Sequence, residues 1–497
     1  MTKSSSVEAR QYLSIDSLIQ GLRERFEAIP DPRRAASTDH TLADCLMAAF
    51  AMFSLKDPSL LAFDQRRQDQ SLMNLYRIKS IPSDTQHREI LDQVDPKQLN
   101  ECFADIFYEL QRGGVLKDFA FQDGKYLMAI DGTGYFSSTT IRCPQCLVKE
   151  RKKGKTEYSH QLVVAVLVHP DLKTVIPIAL EPIVQQDGDN KNDCERNAVR
   201  RLLNTIRQMH PKLKCIVIED GLASNGPHIQ DLISLNFEFL LGAKPGDHTF
   251  LFDNFMKMNE LGQVKNLSVE VNGSSPATQT QWHDHLQLNA THPDIAVKFI
   301  QHMEFDSDLA VKQRYSWVTQ LEVTPENVLK LVRGGRARWK IENETFNTLK
   351  NQGYNLEHNF GHGQKNLSTV FATLMILAFL VDQVQQTCCP LFAKAMGKFN
   401  TRRAYWHHIR CCFEAFQLDT WVGLYVQSRE VADTCQWRVH QRLVIIEKST
   451  IQRIKSARLG AKSSAGPRRT SPSKKNQCGK RTPYPINSRK LQLTGNC

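Results

Sequence analysis

Three short segments place carboxylates where metal chemistry could be done. Ile130-Asp131-Gly132 and Glu219-Asp220-Gly221 each close an apolar run, Tyr126–Ile130 and Cys215–Ile218, with an aspartate followed by glycine. Such a run reads as a buried strand delivering its aspartate to the strand end, where a glycine-bearing turn frees the backbone. Ligands of open α/β sheets collect at strand ends. Two aspartates on neighbouring strands offer the oxygen donors that Mg²⁺ or Mn²⁺ prefers. Each Asp-Gly pair taken singly is an ordinary turn signal, so the chemistry depends on the fold bringing them together. The third segment runs from Arg336 to Lys350 (RARWKIENETFNTLK) and has helical character. Arg338 and Glu342 are four apart and share a face that Phe346 continues, whereas Glu344 points away from it. The plain alternative is a surface ion pair of little energetic value. The bulk of Trp339 argues against it, predicting a tightly packed helix that fixes its carboxylate.

Other constellations carry less. Cys143-Pro144-Gln145-Cys146, followed by His160 and Cys194, is half of a zinc pattern without a matching CxxC or HxxxH, so a reduced turn without metal is the expectation. Lys149 to Lys155, with Lys152 and Lys153 at its centre, reads as a basic loop between strands that touches DNA backbone near the carboxylates. Asp187, Asp189, Asp193 and Glu195 add carboxylates of local use, Asp193 capping the helix that begins there. His358 and His362 flank Gly361, which places them in a loop as structural or DNA-contacting residues. Arg402, Arg403 and Trp406-His407-His408 belong to a packed, partly solvated helix.

The elements that must position these groups follow from periodicity. Residues 14–116 have helical spacing, with Leu42–Phe50 the first strong apolar run and Ser83 with Gln86 forming a capping box. That capped helix carries Thr85, Gln86, His87 and Arg88, and a surface helix is favoured over one that reads DNA. The period then changes to that of strands. His160–His169 and Thr174–Ile183 form a hairpin about Pro170-Asp171-Leu172-Lys173, Asp193–Met209 is a helix, Cys215–Asp220 a buried strand, Pro227–Leu235 a helix and Phe237–Leu241 a strand. This order describes a mixed sheet covered by helices. Residues from Pro245 to about Tyr315 are polar and strand-rich and read as an insertion; Trp317–Thr319 is a strand and Pro325 onward is helical. The boundaries expected are 1–120 (helical, a candidate DNA-binding region), 121–245 and 316–390 (the two parts of a catalytic domain), 246–315 (the insertion), 391–446 (helical) and 447–497 (a basic tail without a sustained apolar period).

Length and charge agree with several domains and a polyanionic partner. A chain of 497 residues exceeds one ordinary core. Its net charge of +12 is concentrated: 13 lysines and arginines and no acidic residue follow Glu447, which leaves 51 basic against 52 acidic residues in the body. Any DNA-binding face on the body is therefore a local patch. Thirteen scattered cysteines and an N-terminus (MTKSSSVEAR) without a secretory pattern predict reduced thiols in a cytoplasm. The apolar stretch Val370–Val381 is too short for a bilayer span and reads as a buried helix.

Ala129-Ile130-Asp131-Gly132-Thr133, Glu219-Asp220-Gly221-Leu222 with Asn225, and Arg338-Trp339-Lys340-Ile341-Glu342-Asn343 with Phe346 and Lys350 together resemble the RNase H-like DDE transposases of bacterial insertion sequences, in particular the cut-and-paste group with a strand-rich insertion before the last glutamate. The resemblance spans roughly residues 31–416, with the acids 89 and 122 residues apart. Arg338 and Glu342 match that group's signature of Tyr, two residues, Arg, three residues, Glu, six residues, Lys, whereas Gly335 replaces the tyrosine and Lys350 lies one residue late. The resemblance implies an RNase H-like mixed sheet with flanking helices, helical terminal regions and a catalytic, metal-binding triad of Asp131, Asp220 and Glu342 holding two Mg²⁺ or Mn²⁺ ions. It implies cleavage of the element's inverted-repeat ends and joining of the 3′ ends to target DNA by a dimer on DNA, located in the bacterial cytoplasm. Arg336, Arg338, Lys350, Lys152 and Lys153 would contact DNA. The alternatives are an RNase H-like nuclease or resolvase without strand transfer, and a decayed element that only binds DNA.

Overall fold

The computed structural model describes residues 11–34, 38–152, 154–184, 192–271 and 274–430, all within one unit of the chain, so the basic tail at 447–497 lies outside the described residues. The chain opens with helices α1 (Ile15–Ala28), α2 (Leu42–Leu55), α3 (Leu60–Asp64), α4 (Gln70–Leu75), α5 (Asp84–Leu91) and α6 (Asn100–Arg112). Five of their starts are fixed by side chains: Ser14, Thr41, Ser59, Asp69 and Ser83 accept from the backbone N–H three residues on. Each cap satisfies a donor that the first turn leaves without an intrahelical partner, worth about 1 kcal/mol. The capping box at Ser83 and Gln86 is present. His87, however, is buried and its Nε2 meets the Cys45 carbonyl at 2.8 Å, while Arg88 pairs with Asp84, so this helix is a packed surface element.

Eleven strands form one sheet: β1 (Ala120–Gln122), β2 (Lys125–Ser138), β3 (Leu147–Arg151), β4 (Lys155–Val168), β5 (Ile176–Ile183), β6 (Cys215–Ile218), β7 (Glu238–Gly242), β8 (Lys265–Val271), β9 (Ser274–Asn289), β10 (His292–Phe305) and β11 (Val311–Thr319). β2 pairs antiparallel with β4, which carries β3 and β5 on its other edge; on its far side β2 is parallel to β6, and β6 to β7. The hydrophobic residues of β6 are wholly buried, the pattern expected of a parallel strand covered on both faces. Helices α7 (Glu195–Met209) and α8 (Gly226–Ser234) connect these strands. The mixed sheet with flanking helices is the fold class read from the sequence.

The insertion does not stand apart. β11 runs across the boundary placed at 315, and its end, Trp317–Thr319, pairs antiparallel with Leu240–Gly242 of β7, so β8 to β11 continue the central sheet. It also contains a helix that the polar composition hid, α9 (Thr249–Glu260), whose Phe252 and Phe255 rings lie 5.0 and 4.6 Å from Phe299 of β10. After β11 come α10 (Val328–Arg336), a π-helical turn (Ile341–Phe346), α11 (Asn347–Asn351), α12 (Leu367–Cys388), α13 (Pro390–Met396) and α14 (Arg402–Ala415). α12 is long and apolar enough to cross a membrane, but its most apolar window is entirely buried within the fold, against α2 among others. It is a core helix, longer than the run read from the sequence.

Candidate active site

The site is built from the sheet outward. β2 does not end at Asp131: the strand continues through Gly132, Thr133 and Gly134 to Ser138 because β4 pairs along its whole length. What ends there is its parallel neighbour. Ala129 is in register with Ile218, the last residue of β6, so Asp131 on β2 and Asp220 just past the end of β6 each lie two positions beyond the last paired residues. Neighbouring strands lie about 4.8 Å apart, a separation two carboxylates can bridge with a cation. Asp220 leaves the sheet into a single 3-10 turn, where its Oδ1 accepts from the Leu222 amide at 2.9 Å.

Glu342 arrives from the other side of the chain. Gly334 and Gly335 let α10 press onto the sheet: a Cβ at Gly334 would lie 2.7 Å from Phe121, and one at Gly335 would lie 2.4 Å from the Trp317 indole. The Trp317 ring leaves no room for a side chain at position 335. The helix is held at its outer end by Arg333 on Asp171 and by Lys340, whose Nζ donates to the Leu172 carbonyl at 2.6 Å, both acceptors lying in the β4–β5 turn. Regular spacing is then interrupted at Ala337-Arg338 and gives way to the π-helical turn that carries Glu342. Such turns recur at functional sites. Arg338 closes the arrangement: Nη1 donates to Asp131 Oδ2 at 3.1 Å and Nη2 to Glu342 Oε1 at 2.8 Å. The four-residue spacing thus does produce an ion pair, and that pair joins two of the three predicted acids.

One residue at the site, Glu195, reads from the sequence only as a carboxylate of local use. Glu195, at the first turn of α7, faces Gly132 so closely that a Cβ there would lie 2.8 Å from Glu195 Oε2. Gly132 lies within β2 and so makes no turn, and the Glu195 carboxyl rests against its open face. Asp193 does not cap α7, whose cap position is Cys194 without a side-chain bond; it accepts from Cys194 N and Asn197 and pairs with Arg201. Asp187 and Asp189 lie outside the described residues. Trp339 is 53% exposed, contrary to the packing its bulk predicts, and stands beside the Arg338 guanidinium at 5.4 Å. An open cleft of about 280 Å³ is lined by Asp220, Lys244, Arg314, Arg336, Arg338 and Trp339, so Asp220 faces a basic, aromatic-edged groove, and Arg338 links that groove to Asp131 and Glu342. The only signal for Glu195 in the sequence was one more acid among several.

The remaining predicted contacts are dispersed. Arg336 pairs with Glu304 and stacks over Tyr315, Lys350 binds Glu357 at 2.9 Å, and Lys152 is exposed in the β3–β4 turn; Lys153 lies outside the described residues. Next to Asp220, the buried Glu219 holds His228 at 2.5 Å, and this carboxylate more than offsets the burial that would lower the imidazole, leaving His228 raised.

The electrostatics fit a cation. Burial pushes Asp131 up to about 6, with Glu342 and Glu195 adding to the rise against the pull of Arg338 and the Gly132 amide. Glu195 is also raised, by loss of water around it and then by Asp220 and Glu219. Carboxylates crowded in this way disfavour one another's charge. The donor atoms are all oxygens, and a hard dication would relieve the repulsion.

The family model DDE_Tnp_1-associated matches residues 23–106. The match points to the DDE-type transposases and runs from within α1 to within α6, ahead of the three acids in the chain. No curated protein matches the chain.

Proposed function

We propose that the chain is a DDE transposase that cuts the ends of an insertion sequence and joins the 3′ ends to target DNA. What supports this reading is that Arg338 bridges Asp131 and Glu342, from two distant segments, while Asp220 follows the strand paired in parallel with the one that carries Asp131. The transposase-associated match in the N-terminal helices supports it independently. Asp131, Asp220 and Glu342 would hold Mg²⁺ or Mn²⁺. The ions would stabilise the attacking and leaving oxygens of a phosphodiester displacement. Glu195 adds negative charge next to Gly132 and would strengthen the site's hold on cations. Arg338 both orients the two carboxylates it bridges and, with Lys244, Arg314 and Arg336 around the cleft, would hold the DNA backbone in place.

Trp339 has an exposed indole at the cleft edge and would stack on an unpaired base at the cut end. Trp339→Ala is expected to weaken binding of DNA with a single-stranded end by about 1–3 kcal/mol, with little effect on intact duplex. Equal losses on both substrates in a fluorescence anisotropy titration would remove the stacking role.

The test of function uses purified protein, DNA carrying the sequences that flank its gene on both sides, a supercoiled plasmid and Mg²⁺. Plasmid covalently joined to the 3′ ends is the expected product. Clean cutting without joining across metals and salt conditions would replace the transposase with a nuclease or resolvase.

A further inference from the structure

We propose that Cys143, Cys146, His160 and His362 form a structural zinc site separate from the carboxylate centre. Cys143 and Cys146 lie in the loop between β2 and β3, His160 is on β4 opposite Phe136 of β2, and His362 comes from the loop before α12, 216 residues after Cys146. Their ligand atoms all fall within 4.8 Å of one another. The two sulfurs are 3.8 Å apart, each is 3.4 Å from His160 Nε2, and Cys146 Sγ is 3.5 Å from His362 Nε2. Zinc bonds sulfur at about 2.3 Å and imidazole nitrogen at about 2.0–2.1 Å, so a regular tetrahedron requires about 3.8 Å between sulfurs and about 3.5 Å from sulfur to nitrogen. These four separations agree with that geometry. A disulfide, with sulfurs about 2 Å apart, does not describe this pair.

The surroundings suit a closed site. Cys146, His160 and His362 are buried and Cys143 is half-buried. Phe136 packs on both imidazoles, with ring centres 4.4 Å from His362 and 5.8 Å from His160. All four positions are protein sulfur or nitrogen, which marks a structural site with no place for a reacting water and excludes Mg²⁺ as the preferred ion. The CxxC thus finds its second half in a histidine that sequence spacing left as a loop residue, while Cys194 stays outside the cluster, exposed at the start of α7.

The chain is bent to bring His362 there. Gly363 adopts φ +67° and would clash with Asp92 if it had a Cβ, and the Asp92 carboxylate accepts the backbone N–H groups of Gln364, Lys365, Asn366 and Leu367. Gln145, inside the CxxC, donates to Asn366 Oδ1 at 3.0 Å. The site ties the strand carrying Asp131 to the loop that follows the Glu342 segment, and zinc would fix the spacing between them. Because ligation favours the folded chain over the unfolded one, it would also stabilise the fold.

Full-length protein, reduced with a phosphine, reconstituted with Zn²⁺ under anaerobic conditions and desalted, is expected to hold one zinc per chain by elemental analysis. Cys146→Ser should lose it, and His362→Cys, which keeps four ligands, should retain it. Co²⁺ loaded into the wild type should give thiolate charge-transfer bands and the intense visible bands of a tetrahedral ion. Should Cys146→Ser fail to fold, this cobalt spectrum and the labelling of Cys143 and Cys146 only after chelation decide the matter. Folded wild type that retains no metal, zinc that persists in a folded Cys146→Ser, or labelling of both thiols independent of chelator would overturn the proposal.

Discussion

Alanine at Asp131, Asp220 or Glu342 is expected to lower Mg²⁺-dependent cleavage of end-containing DNA by about three orders of magnitude or more, since each substitution removes a ligand of ions on which several kcal/mol of transition-state stabilisation would depend. DNA affinity measured in Ca²⁺ or EDTA should be unchanged or higher. On the proposed function each change would remove negative charge from a site that meets a polyanion, and Asp131→Ala or Glu342→Ala would also free one arm of Arg338 for phosphate. Glu344→Ala is the control, because Glu344 takes no part in the Arg338 bridge. Single-turnover cleavage at wild-type rate in any of the three variants would remove that residue from the site. A matching fall in DNA affinity would mean that the residue supports the fold or the groove and not the chemistry.

The second large effect concerns stability, at a charge pair far from the acids in sequence. Lys56 follows α2 in the left-handed region (φ 54°) and is fully buried; its ammonium binds Asp382 in the middle of α12, donates to the Ser54 carbonyl at 2.7 Å and sits 3.6 Å above the Trp406 ring. Tyr354 donates its hydroxyl to the same carboxylate. Burial lowers Lys56 to about 8 despite the pull of Asp382, so the pair is held against a real desolvation cost. Removing one partner strands the other charge in the core. Asp382→Ala is expected to cost about 3–5 kcal/mol, and Lys56→Met combined with Asp382→Leu should recover much of that loss. Urea denaturation of the purified chain checks both. A midpoint for Asp382→Ala equal to wild type would show that water reaches Lys56 and that the pair is not a core contact.

Much of the fold was legible because local patterns coincide with what the core demands. The hairpin about Pro170–Lys173, the all-apolar run of β6, the capping box at Ser83 and the buried helix after Leu367 are each stated by periods of two or 3.6 and by cap residues. The helix at Thr249–Glu260 was missed although Leu251, Phe252, Phe255 and Met258 have helical spacing, because the strand-like runs after it set the reading of the whole segment; Phe252 and Phe255 pack on Phe299.

By itself the sequence determined which residues could do chemistry: carboxylates after apolar strands, an arginine four positions before a glutamate, a CxxC and a basic tail. Types and short spacings are local properties, and they fix which side chains can share a face or a turn. Only the tertiary structure decided which of these meet. The β2–β6 register places Asp131 and Asp220 each two positions past the last paired residues, the Trp317 ring leaves no room for a side chain at Gly335, and Arg338 reaches a carboxylate 207 residues away. Glu195 beside Gly132, the exposed face of Trp339 and the approach of His362 to Cys146 likewise depend on contacts across long stretches of chain. Such contacts are set by strand register and by how helices dock on the sheet, and neither has a period that a reading along the chain can detect.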